Sequence, residues 1–178
     1  MLRRINVAVI VRDHFRTFYD YRERVRNPQS RRLSWFAIVL ELLIPAVIAA
    51  VLWRTGVSLP KSSVGTLITA LAVFGALLFN LLILIYDVSG RDIGDALGEV
   101  KAARKITLTD MHANVAFAVL LTLASIVDLV ILAVGVRGSV VTPTSIAFYY
   151  LGSLFILTLL MILRRMHLLL SSDIRGHA

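Results

Sequence analysis

The chain has 178 residues, 58% of them hydrophobic, and a positive mean hydropathy. A water-soluble domain keeps roughly half of its residues apolar, so this composition excludes a single soluble core and points to an all-α, polytopic membrane protein. The net charge is +8 and cysteine is absent, which removes disulfides, thiolate metal sites and cysteine nucleophiles together.

Residues 1–33 form a basic segment ahead of the first long apolar run. INVAVIV at 5–11 is rich in β-branched residues and is expected to form a strand. RDHFRTFYDYRERVR at 12–26 reads as an amphipathic helix, with Phe15, Phe18 and Tyr19 set among charges that include Arg12 and Arg16; NPQS then breaks it. Such a helix either lies among lipid headgroups or docks a cytosolic protein partner. SRRLSWF at 30–36 resembles a twin-arginine export signal. Ser34, however, stands where a large apolar residue is required, and three further spans follow, so the segment reads as the start of a span.

Four runs approach the roughly 20 residues that cross a hydrocarbon core: 34–53, 64–86, 113–134 and 145–163. They make a transmembrane domain at 34–163 that includes a linker at 87–112, followed by a tail at 164–178. Of the 19 basic residues, nine precede the first span, four lie between the second and third and three follow the fourth. Only Arg54, Lys61 and Arg137 fall on the other side. Lys and Arg near span ends are retained in the cytoplasm, which places both termini there. The positive charge is thereby a signal of topology and of contact with anionic lipid, and no nucleic acid partner is expected.

In the linker, Ile93, Leu97 and Val100 recur at helical spacing. A helix over 91–105 is expected, carrying Arg91, Lys101, Arg104 and Lys105. TLTD at 107–110 is expected to end it, with Thr107 or Thr109 capping the third span and Asp110 beside that helix's positive end. Gly90, Gly94 and Gly98 loosen the segment.

Polar groups inside spans cost free energy unless partnered, and so mark function. Three stand out: Glu41, Asn80 and Asp128. At 1.5 Å per residue, Glu41 lies roughly 12 Å and Asn80 roughly 10 Å in from the same side, so a Glu41–Asn80 hydrogen bond is expected to clamp the first span to the second. Pro45 supports this pairing, because it frees the carbonyl of Glu41 as a further acceptor. Asp128 lies about 9 Å from the opposite side, within reach of the Tyr149 or Tyr150 phenol and of Arg137. Ala124, Ser125, Gly135, Gly152 and Ser153 supply small surfaces for close helix approach.

His14, His112, His167 and His177 have no partner at metal spacing and read as interfacial or tail residues, so neither a metal nor another cofactor is expected. Asp92, Asp95 and Glu99 form a solvated face, and no catalytic constellation appears; the chain does not read as an enzyme.

The motifs DHFRTFYD ahead of the first span and FGALLFNLLILIYD in the second resemble a pattern that recurs in bacterial four-span proteins of unassigned function, and the layout of two spans, a charged cytoplasmic linker and two more spans resembles small bacterial inner-membrane proteins of phage exclusion and defence. The membrane component of the lambda Rex system and the membrane subunit of the Kiwa system share this layout. The resemblance implies a small homo-oligomer that depolarises the cell or senses envelope perturbation. Three functions are therefore expected in order: an oligomeric channel, a non-conducting anchor or sensor that recruits a cytosolic effector, and a proton-coupled transporter.

Overall fold

The computed structural model describes residues 7–18, 35–90, 98–134 and 141–176, and these are helical apart from two short connections. Five helices follow one another: α1 Val7–Arg16, α2 Trp35–Arg54, α3 Lys61–Gly90, α4 Gly98–Val134 and α5 Val141–Gly176. Four of them contain stretches long and apolar enough to cross a membrane, at Trp35–Arg54, Lys61–Gly90, Lys105–Val134 and Thr142–His167. Each expected span is found, and the third begins well before residue 113.

The reason lies at the TLTD segment, where α4 runs on without a break. Thr109 Oγ1 donates to the Lys105 carbonyl at 2.8 Å, so its hydroxyl bonds backwards within the helix instead of capping a new one. Asp110 is consequently a buried residue inside α4 and not a charge at a helix start. The expected strand at INVAVIV is corrected as well: Val7–Val11 are helical. Ile10 and Val11 pack against the bundle core with His14 beyond them, and this docking overrides the local preference of β-branched residues for strand.

α4 is the central helix: 44% of its apolar window is buried, against 17% to 22% for the other three. It packs on α3 and α5, while α2 packs on α5, and α1 crosses α4 at one end. The α3–α4 contact is a heptad seam. α3 buries Val64, Leu71, Leu78 and Ile85, and α4 answers with Met111, Val115, Ala118, Thr122, Ser125, Leu129 and Leu132, alternately four and three residues apart. That spacing keeps a seam facing a neighbouring helix over many turns. Lipid-exposed helices gain little from apolar burial alone, so close approach through small residues matters more. A Cβ added at Gly75 would stand 3.2 Å from Thr122 Cγ2, which marks the tight point, whereas one at Gly152 would meet nothing within 4 Å. Gly152 is therefore not the site of close approach that its size implied.

The α2–α3 turn is held by local chemistry. Gly56 takes a φ of 69°, and Gly56 N–H donates to Trp53 O and Val57 N–H to Leu52 O, both at 3.1 Å. These paired bonds end α2 in the way that favours glycine after a helix. Leu59 N–H then donates to Ser145 Oγ at 3.2 Å, tying this turn to the start of α5. Large side chains such as Trp35, Phe36 and Tyr86 remain 70% or more exposed, as expected of surfaces that meet hydrocarbon and its interface.

Candidate functional site: a buried polar cluster at the α1 end of the bundle

α1 ends in the bundle, and its last turn delivers His14 to a position with 0% exposure. The imidazole is sandwiched by chemistry of two kinds. Its ring stacks on Phe117 of α4, with centroids 3.9 Å apart and planes 15° from parallel, and Phe15 and Phe18 meet it edge-on at 5.5 Å. Its two nitrogens face polar groups on different helices.

Nδ1 lies 2.9 Å from Asn114 Oδ1, and Thr17 Oγ1 donates to the same oxygen at 3.1 Å. The amide nitrogen of Asn114 points at Met161 Sδ, 3.4 Å away on α5. In this orientation Oδ1 only accepts, so Nδ1 carries a hydrogen. Nε2 is thereby left for Glu41, whose Oε1 is 3.3 Å away with both side chains essentially out of solvent. The distance suits an ion pair, yet neither Nε2 nor either Glu41 oxygen makes an aligned hydrogen bond. Distance and angle disagree here, and the angle limits what the contact stabilises.

A second contact closes the cluster. Arg165 of α5 places Nη1 3.2 Å from Asp110 Oδ2 and donates from Nη2 to the Thr17 carbonyl at 2.9 Å. Carbonyls at a helix C-terminus lack internal partners and carry partial negative charge, so the guanidinium caps the end of α1 while holding α4 through Asp110.

The clamp expected between Glu41 and Asn80 is not formed. Glu41 faces His14, and α2 packs on α5 instead of α3. Asn80 is exposed on α3, two residues beyond the buried Leu78, so at 100° per residue it projects about 160° away from that seam. Equal depth placed the two residues at one level but carried no information about azimuth. Pro45 is buried one turn beyond Glu41, on the stripe Glu41, Pro45 and Ala49 that α2 turns inward. Asp128 is half-buried, and its Oδ2 has no hydrogen-bond partner. Neither expected phenol serves it: Tyr149 packs with Phe148 beside the Leu129 and Leu132 core, while Tyr150 lines an open apolar groove with Ala46, Ala49, Ala50 and Trp53. Arg137 lies outside the described residues.

Phe15 and Phe18 pack on His14 instead of forming an open surface. Arg12 and Arg16 are exposed and flank Asp13 at 3.8 and 3.6 Å, and Lys105 is also exposed. Tyr19, Arg91 and the side chains of Lys101 and Arg104 are outside the described residues. His14 overturns the expectation of an interfacial histidine. Asn114, Thr17 and Arg165 were not singled out by sequence; Asn114 stood at the edge of an expected span, and continuity of α4 was the signal that would have placed it inside one. Among the described residues no group of three or more His, Asp or Glu could hold a metal ion.

These helices define a multi-pass, α-helical membrane protein with a short N-terminal helix locked against its spans. No family of known proteins matches the sequence, and neither curated proteins nor solved structures show a match to it.

Proposed function

We propose that the chain is a non-conducting sensor and anchor of a bacterial inner membrane, with both termini in the cytoplasm, that passes a change in its spans to a cytosolic effector through α1. The observation that carries this reading is the burial of His14 of α1 between Glu41 of α2 and Asn114 of α4. A helix outside the spans is thereby tied to the relative position of at least two of them. Because the Glu41 oxygens make no aligned hydrogen bonds, the latch is held below its full strength, which favours a device meant to open. The shared layout with membrane proteins of phage exclusion and defence makes envelope perturbation the natural trigger.

The test uses the absence of cysteine. A full-length Ile10→Cys variant in inside-out vesicles is labelled with a membrane-impermeant maleimide before and after depolarisation or phage challenge. Faster labelling on perturbation is expected; labelling that stays constant rules the reading out.

The oligomeric channel remains as a second reading, favoured by Asp128, whose Oδ2 is buried without a partner in the protomer. A ring of such carboxylates attracts cations. Purified protein in liposomes would then pass ions, with altered selectivity in Asp128→Asn; vesicles that stay sealed at high protein occupancy exclude it. The proton-coupled transporter has less support, since Glu41 is covered by α1 and Asn80 faces outward.

A further inference from the structure

The heptad seam uses only one side of α3. Its opposite side carries a second register of exposed residues: Thr66, Val73, Asn80 and Asp87 seven apart, with Thr69, Ala76 and Ile83 interleaved. Asn80 lies inside the apolar stretch, ten residues before Gly90, where α3 ends, and thus about 15 Å from that end. It makes no hydrogen bond to any described residue. An amide facing hydrocarbon has neither water nor an acyl-chain acceptor, so it is costly until a polar group at its own depth meets it.

We infer that this face of α3 is a self-association surface, on which Asn80 pairs with Asn80 of a second copy. Copies inserted with one topology lie parallel and are related by a two-fold axis along the membrane normal, which brings identical residues together at identical depth. An amide suits that symmetry because it holds both donor and acceptor: each Nδ2 donates to the other copy's Oδ1, giving two reciprocal bonds. A single asparagine at the equivalent position of a heptad seam fixes register and parallel pairing in coiled coils. The neighbours permit close approach, since Thr69, Val73 and Ala76 are small and the hydroxyl of Thr69 is already satisfied by the Gly65 carbonyl at 3.0 Å. Asp87 falls seven residues on, about 10 Å nearer the helix end, so its two copies meet toward the polar boundary and not in hydrocarbon. The inference needs only that α3 crosses a membrane, and it holds whether the assembly conducts or recruits.

Single cysteines in the full-length, otherwise cysteine-free chain test it in native membranes. Under mild oxidation Val73→Cys and Ala76→Cys are expected to give disulfide-linked dimers, while Val47→Cys on α2 and Ile156→Cys on α5, both exposed apolar positions, give few. Asn80→Leu added to Val73→Cys is expected to lower the dimer fraction on the order of five- to tenfold, from the loss of two interhelical hydrogen bonds, and Asn80→Gln to retain part of it. Because Asn80 lies outside the packed seam, the Leu variant should keep its protomer fold, checked by unchanged reactivity of Ile10→Cys. Equal crosslinking at all four positions, dimers only through α2 or α5, no dimers at all, or an Asn80→Leu variant that crosslinks as well as its parent each overturns the proposal. An absence of dimers assigns the face to lipid or to another protein, and undiminished crosslinking of the Asn80→Leu variant removes Asn80 from the interface.

Discussion

His14 Nε2 and Glu41 Oε1 stand 3.3 Å apart, 27 residues from each other in sequence, with both side chains almost wholly out of solvent. The contact joins a short helix to a membrane span through a buried imidazole, beside the Arg165 and Thr17 contacts that also hold α1.

Removing that imidazole is expected to undock α1. His14→Ala removes the imidazole that faces Glu41, strips Asn114 Oδ1 of one donor and opens a cavity beside Phe117, at a cost of about 2 to 4 kcal/mol. Trypsin cleavage at the exposed Arg12 and Arg16 reports undocking, because a helix must open before it is cut. Glu41→Gln is expected to cost less, and the double variant less than the two singles together, with a coupling of about 1 to 3 kcal/mol. Strict additivity would show that the two residues do not interact.

Arg165 offers a separate test of the same docking. Arg165→Ala exposes two groups at once, the buried Asp110 carboxylate and the Thr17 carbonyl, and is expected to speed cleavage of α1 by an amount equivalent to about 2 to 4 kcal/mol. Arg165→Lys keeps the charge but not the planar fork that reaches both partners, so an intermediate rate is expected. A lysine variant indistinguishable from the parent would mean that charge alone suffices.

Packing makes opposite demands on two glycines. Gly75→Leu is expected to lower thermal stability in detergent by about 1 to 3 kcal/mol, because a Cβ there already crowds Thr122 and a longer side chain pushes α3 away from α4. Gly152→Ala meets no atom within 4 Å and is expected to stabilise by up to about 1 kcal/mol through helix propensity. The reverse order would relocate the closest helix contact to α5.

Asp128 separates a protomer from an assembly. With one oxygen buried and unpartnered, the carboxyl contributes nothing to the isolated bundle, and Asp128→Leu is expected to leave the melting temperature unchanged or to raise it. A fall of several degrees would show that Asp128 is partnered when copies assemble.

Much of this protein was legible without coordinates. Hydropathy and length determined the four spans, because a helix surrounded by hydrocarbon must be apolar along its whole length, and that is a local property. Glu41 was legible for the same reason, as a costly group that had to be matched. What it is matched with was not. A span that is apolar all round has no amphipathic stripe to declare its inward face, so nothing local distinguished the azimuth of Asn80 from that of Leu78. The seam is marked instead by small residues such as Gly75, Ala118, Thr122 and Ser125, whose meaning appears only when a second helix lies against them. The INVAVIV segment makes the same point from the other side: β-branched residues favoured a strand, and the surface offered by Met111, Val115 and Phe117 made a helix. The sequence by itself determined that the chain enters a membrane and where a carboxyl is stranded in it. Tertiary structure alone decided that His14, held by Asn114, receives that carboxyl while Asn80 faces outward, because helix rotation and neighbour order are set by long-range packing.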